Sequence, residues 1–187
     1  MLNCFLLPSP ELKLFAINRS PSSVFEQMNY GFILYFGRRH DDAIAQLRRV
    51  AEMDPGNPGV YDPLWRSYHM KGDYPRAFEI FMEFQRSIRT KDETLKSYET
   101  AYATNGWQGT LNKNLEILKD LEVTGFRAYT IAGLSALLGK RDQAFRYLNY
   151  AAERRATLIS FIVGDPTFDS LRDDPRFKEF VSRIGLK

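Results

Sequence analysis

Gly72, Gly106 and Gly139 stand 34 and 33 residues apart in a chain of 187. Two further registers keep that spacing. Ala43, Ala77, Leu111 and Ala144 recur at intervals of 34, 34 and 33, and so do Tyr30, Leu64, Tyr98 and Ile131. A period of this size marks a supersecondary unit that cannot bury its apolar face alone and must stack on copies of itself. The stretch "MKGDYPRAFEIF" (Met70 to Phe81) says what the unit is. Gly72 can end one helix because a left-handed backbone costs it nothing at Cβ. Asp73 can cap the next by accepting from its free N–H groups. Ala77 is small where two helices approach closely, and Phe81 and Phe84 share one face. "NGWQGTLNKNL" and "LGKRDQAFRYL" repeat the outline. The unit is a pair of antiparallel helices.

The details of these units resemble the tetratricopeptide repeat, whose signature runs W-x2-L-G-x2-Y, then A-x3-F, then P. The second unit reads Tyr61-x2-Leu64-Trp65-x2-Tyr68, followed by Ala77-x3-Phe81. The first offers Tyr30-Gly31-x2-Leu34, Ala43-x3-Leu47 and Asp54-Pro55, and the fourth Ile131-Ala132 with Ala144-x3-Leu148. The third keeps Tyr98, Tyr102 and Gly106 but has Leu111 where Ala is usual. The resemblance covers residues 10–155. It implies an all-α, right-handed α-α superhelix, a solenoid of antiparallel helix pairs with a C-terminal helical cap. Its units are residues 24–57, 58–91, 92–124 and 125–157, all in one domain. Where the pattern has Gly31, the second and third units have Trp65 and Glu99, so packing there must open or rotate. Pro63 falls inside the expected first helix of the second unit, and Asp62 as N-cap with Pro63 at the first helical position would shorten that helix.

The two ends depart from the period. "ELKLFAINRSPSS" aligns with the second helix of a preceding unit, with Ala16 at the small position and Pro21 at the closing one. Residues 1–23 therefore read as half a repeat, as expected of a fragment or shortened relative of a longer protein. Residues 158–187 carry a tandem pattern, Asp165-Pro166-Thr167-Phe168 and Asp174-Pro175-Arg176-Phe177. Asp-Pro starts a helix, the acid capping and the proline taking the first position. Phe168, Leu171, Phe177, Phe180 and Ile184 are expected to fold back over the last repeat as a cap. This tail resembles those that follow repeat arrays in multidomain bacterial regulators. There a winged-helix DNA-binding, kinase or cyclase domain often precedes the array, and none is encoded here.

The residues give little support for catalysis. Asp165, Asp169, Asp173 and Asp174 lack the spacing and closing Glu of a calcium loop, so capping is their expected role. His40 and His69 are the only histidines and have no metal-ligand spacing, while Cys4, the one cysteine, cannot form an intrachain disulfide. Ser67 and His69 point in different helical directions, which argues against a nucleophile–base pair. "GNPG" (Gly56 to Gly59) is an inter-repeat turn and no phosphate loop. The expectation is a protein with no enzymatic activity, no cofactor and no metal. A net charge of +3 is too weak to argue for nucleic acid. The pairs Arg38-Arg39, Arg48-Arg49 and Arg154-Arg155 keep a helical-repeat nucleic-acid binder as the alternative reading. "MLNCFLLPSP" lacks the length and basic start of a signal peptide. No run of eighteen apolar residues suggests a membrane span. A soluble, cytoplasmic protein is expected.

In the tetratricopeptide family the first helices line a concave groove that binds partners, mainly through their second, fifth, ninth and twelfth positions. By that resemblance the groove residues are Phe25, Met28, Phe32 and Tyr35, then Asp62, Arg66 and His69. Lys96, Thr100 and Ala103 follow, then Phe126, Tyr129, Gly133 and Ala136. The family's carboxylate clamp of Lys and Asn is not matched, since Met28 and Phe32 occupy its first-unit positions and Thr100 follows Lys96. The expected ligand is a protein or peptide segment with an acidic group near Arg66 and Lys96 and apolar side chains near Tyr35. The competing expectation is that Met28, Phe32 and Tyr35 pack on upstream repeats. The overall expectation is a protein-interaction scaffold, the sensor or scaffold part of a bacterial regulatory protein. Neither the partner's identity nor the oligomeric state follows from the sequence.

Overall fold

A computed structural model describes residues 23–186, and every regular element among them is helical. The elements are α1 (Val24–Phe36), α2 (His40–Met53), α3 (Pro58–Met70), α4 (Tyr74–Ser87), α5 (Asp92–Asp120), α6 (Gly125–Leu137) and α7 (Arg141–Glu153). Two 3₁₀ turns, Thr157–Phe161 and Pro166–Leu171, and a last helix α8 (Pro175–Arg183) complete the described chain. The half-repeat read around Ala16 and Pro21 lies outside the described residues, as does Cys4.

Successive helices pack on one another in opposite directions. Tyr35 meets His40, Gly31 meets Leu47 and Gln46 donates to the Gln27 carbonyl, so α2 runs back along α1. A Cβ on Gly31 would lie 2.5 Å from Leu47 Cδ2. Any side chain at this position would have to displace that of Leu47. Six of the helix ends share one geometry. Arg38, Gly72, Arg89, Gly139, Arg155 and Gly185 all take positive φ, between 52° and 78°. After each, the next N–H donates to the carbonyl five residues back, at 2.8 to 3.1 Å. This is the Schellman closure, which satisfies carbonyls the helix leaves free. Arg38 therefore stands in register with Gly72 and Gly139.

The third unit turns differently. α5 is assigned as one helix, yet Asn105 (φ −132°, ψ 17°) and Gly106 (φ 59°, ψ −152°) break it. Tyr98 donates to Asn114 Oδ1 at 3.0 Å, a pairing impossible along a straight helix rising about 1.5 Å per residue. Residues 92–104 and 107–120 are two arms folded against each other. A Cβ on Gly109 would sit 2.3 Å from the Ala101 carbonyl oxygen. The close approach expected of the small residue has moved from Leu111 to Gly109, which leaves Leu111 free to be fully buried.

α3 corrects the expectation about Pro63. The helix starts at Pro58, capped by the Asn57 side chain on the Gly59 N–H, and Pro63 lies inside it. Asn57-Pro58 is itself a cap followed by a first-position proline. Starting there buries Val60 and Tyr61 in addition to Leu64 and Trp65. Losing one backbone hydrogen bond at Pro63 is outweighed by that burial, since each large side chain contributes roughly 1.5–3 kcal/mol. Asp62 caps nothing. Its carboxylate accepts instead from Trp65 Nε1 and Arg66 Nε.

The interior has two parts. One joins α1 to α6 and centres on Trp65, Phe81, Tyr98 and Trp107. These rings meet edge to face, Trp65 with Phe81 at 5.9 Å and Phe81 with Tyr98 at 5.0 Å. The other joins α6, α7, the 3₁₀ turns and α8 through Ala132, Leu148, Ile162, Phe168 and Phe180. α6 serves both, with Ile131 and Leu134 in the first and Ala128, Ala132 and Ala136 in the second.

Candidate interaction site

The tail reaches much farther than the last hairpin. Between α7 and α8 the chain crosses to α1, α3 and α6, and its Asp165 is buried at 6% exposure. Asp165 Oδ1 accepts from the Tyr35 hydroxyl at 3.1 Å and from its own turn's Thr167 N–H at 2.9 Å. Its Oδ2 accepts from the Tyr129 hydroxyl at 2.9 Å. Thr167 Oγ1 lies 2.9 Å from the Tyr35 hydroxyl and accepts from Arg66 Nη1 at 3.2 Å. Three helices thus each send one polar side chain to one acidic turn. The donors matter because a buried polar group without hydrogen-bond partners is costly.

Charge is balanced locally. Arg66 Nε donates to Asp62 one helical turn earlier, at 3.0 Å. Burial opposes the Arg66 charge, but Asp62 and then the Tyr35 and Asp165 side chains outweigh it and raise its pKa above the ordinary guanidinium value. Burial, followed by the Asp165 charge, pushes both the Tyr35 and Tyr129 hydroxyls well above the usual tyrosine range. Both remain protonated donors, as the carboxylate requires.

The tail follows α6 closely. Tyr129 binds Asp165, Gly133 faces Thr167, and the Ala136 carbonyl accepts from Ser170. A Cβ on Gly133 would stand 3.0 Å from Thr167 Cγ2, so a larger residue there would press the turn away. The Tyr129 ring meets Phe168 edge to face at 5.2 Å. On the α1 side Phe36 stacks on Phe161 at 5.5 Å, and Arg38 pairs with Asp169 at 2.6 Å.

Of the groove residues read from the sequence, Tyr35, Arg66 and Tyr129 come together here, with Asp62 as the partner of Arg66. His69 is set apart by Trp107, whose Nε1 donates to its Nδ1 at 2.7 Å. Burial, and then the Arg66 charge, lower the His69 pKa to about 4, so the ring is neutral and free to accept. Met28 packs against Gly59 of α3, and Phe32 stacks on Phe36 at 6.4 Å. Lys96 and Thr100 are exposed, and Thr100 Oγ1 donates to the Lys96 carbonyl of its own helix. Nothing brings them to Arg66. The sequence reading missed Asp165 and Thr167 as members of this site. The side chains that Arg66 meets are Asp62 and Thr167 of the same chain.

Four of the six paired arginines have local partners. Arg38 binds Asp169 and Arg39 binds Asp42, while Arg48 lies over Tyr68 and Arg154 over Tyr150. Among the described residues no three His, Cys, Asp or Glu side chains cluster as metal ligands do, and no helix is long and apolar enough to cross a membrane. Compared with protein-family models and with curated proteins, the chain matches none.

Proposed function

We propose that this chain is a protein-interaction module of tetratricopeptide type, its helix pairs stacked in a right-handed superhelix that receives a peptide or protein segment on the face of α1, α3 and α6. It performs no catalysis and serves as the sensor or scaffold part of a bacterial regulatory protein in the cytoplasm. One observation carries this reading: Tyr35, Arg66 and Tyr129, from three separate helices, converge on an acidic turn lying across them. A surface with that chemistry already holds one segment of the expected kind. The engagement of Arg38, Arg39, Arg48 and Arg154 by separate local partners weighs against a phosphate track, whose cations would stand together on one face.

The test is capture of partners on the immobilised chain, followed by crosslinking to locate their contacts. Crosslinks to α1, α3 and α6 that disappear in Arg66→Gln are the expected result. Capture unchanged by that variant would place the partner surface elsewhere. Retention of nucleic acid that falls steeply with salt would favour the phosphate-binding alternative.

A further inference from the structure

We infer that the Tyr35–Arg66–Tyr129 site recognises an Asp-Pro-x-Phe segment, that residues 165–168 are its resident ligand, and that a partner segment of the same pattern binds by taking their place. The inference rests on the proposed role as an interaction module and names the chemistry of its ligand.

Each residue of the segment meets a specific feature. The carboxylate of Asp165 takes one hydroxyl from α1 and one from α6. Pro166 and Thr167 are both buried, and the Thr167 hydroxyl bridges Tyr35 and Arg66. Phe168, fully buried, places its ring against Tyr129. Gly133 leaves room for the turn at its narrowest point. A neutral residue in place of the acid would deprive the two tyrosine hydroxyls of their charged acceptor, and sites built from buried polar groups reject such analogues strongly. The segment needs no long helix to be recognised. It is one six-residue 3₁₀ turn, closed by its own aspartate on the Thr167 N–H, so a short peptide can adopt the same form. The resident copy is tethered at both ends, by α7 and α8, and a partner competes against that tether.

A labelled peptide with the sequence of residues 161–172, FIVGDPTFDSLR, provides the probe. Fluorescence anisotropy is read with the full chain and with its Asp165→Asn variant, which keeps the turn's shape and removes the resident charge. Apparent affinity scales with the fraction of molecules whose site is open, so the variant is expected to bind the peptide at least about tenfold tighter than wild type. The same peptide carrying Asn at the position of Asp165 should bind neither protein. Equal binding by wild type and variant, or equal binding of the two peptides, overturns the inference. If circular dichroism finds the variant unfolded, wild type nicked after Arg155 replaces it and the two peptides decide in the same way. A captured partner whose contacts lie on α1, α3 and α6 but which the peptide does not displace would sink this inference and leave the interaction module standing. Peptide binding as expected, with no partner captured on that face, would uphold the recognition and remove the module's role.

Discussion

Asp165-Pro166-Thr167-Phe168 and Asp174-Pro175-Arg176-Phe177 share a pattern and a local structure, yet they end in different surroundings. Both aspartates cap, accepting from the N–H two residues on, and both prolines take the first helical position. Both phenylalanines are buried, so the aromatic anchor is common to the two. The third residue separates them. Thr167 is short, and its hydroxyl bridges helices α1 and α3. Arg176 folds back on its own Asp174 and reaches Asp142 of α7, so the second copy neutralises its acid within the tail. The first copy has no cation of its own and draws its donors from the rest of the molecule. Local sequence sets the capped turn, and one side chain decides whether the acid becomes part of the interior.

The largest expected consequence is a difference between two identical truncations. Asp165→Ala strands the buried Tyr129 hydroxyl, leaves the Tyr35 hydroxyl with Thr167 alone and leaves Asp62 as the only carboxylate near Arg66, a loss of about 3 kcal/mol by the usual cost of unpaired buried polar groups. Asp174→Ala, whose acid is met by a surface arginine, should shift the urea midpoint far less. Equal midpoints for the two variants would mean that the buried network contributes nothing beyond the cap.

Much of this architecture was legible in the sequence. The recurring glycines mark hairpin closures, and Phe168, Leu171, Phe177 and Phe180 are buried as a folded-back tail must bury them. What the sequence did not reveal follows from its local nature. Arg38 shares the left-handed position with Gly72 and Gly139, but no residue rule expects arginine there. The contact of Asp165 with Tyr35 spans 130 residues, and no periodicity encodes it. The sequence named Tyr35, Arg66 and Tyr129 together, and the structure brings these three to one turn of the tail. No local pattern marks that turn as their neighbour.

Acid should sharpen the contrast, because the two copies have neighbours that titrate in different windows. The His69 ring, one turn from Arg66, has an ordinary pKa of 6.5 and a folded value of about 4. The unfolded chain takes up that proton first, so the ring's contribution is complete above pH 6.5 and is lost as the pH falls toward 4. By linkage the loss reaches about 3 kcal/mol. Stability measured from pH 7 to 4 should fall with that slope in wild type and by correspondingly less in His69→Phe, where His40, also lowered by burial, still contributes. Asp174, held at about 2 by Arg176, retains its contribution through that window and loses it only as the pH falls from 3.8 toward 2. A wild-type profile flat between pH 6.5 and 4 would mean that His69 is not held neutral by its burial.

Thr167→Val tests the third residue directly. Valine keeps the shape and burial but removes the hydroxyl shared by Tyr35 and Arg66, while Asp165 keeps its tyrosine donors. A loss of about 1–2 kcal/mol is expected from leaving part of the guanidinium unpaired. Because the hydroxyl's partners lie on α1 and α3, hydrogen exchange should quicken around Tyr35 and Arg66 as well as in the tail. Quickening confined to the tail would show that Thr167 does not bind the two parts together.

The smallest effect concerns the one closure whose left-handed residue binds the tail through its side chain. Arg38 holds φ 59° where Gly72 and Gly139 hold 74° and 70°. A non-glycine residue there costs about 1–2 kcal/mol in the folded state. Replacing it by glycine removes that strain but loosens the unfolded chain by about 0.5–1 kcal/mol. It also deletes the half-exposed ion pair with Asp169, which is worth about 0–1 kcal/mol. Arg38→Gly should therefore change stability by no more than about 0.5 kcal/mol, the terms nearly cancelling. The informative measurement is the same substitution in an Asp169→Ala background, where the ion pair is already gone. There the strain relief stands alone against the entropy term, and glycine should be more stabilising than it is in wild type. Identical effects in both backgrounds would mean that Asp169 does not compensate for the strain at Arg38. The first Asp-Pro-x-Phe copy would then be held to α1 by Tyr35, Thr167 and the Phe36–Phe161 stack without help from the hairpin closure.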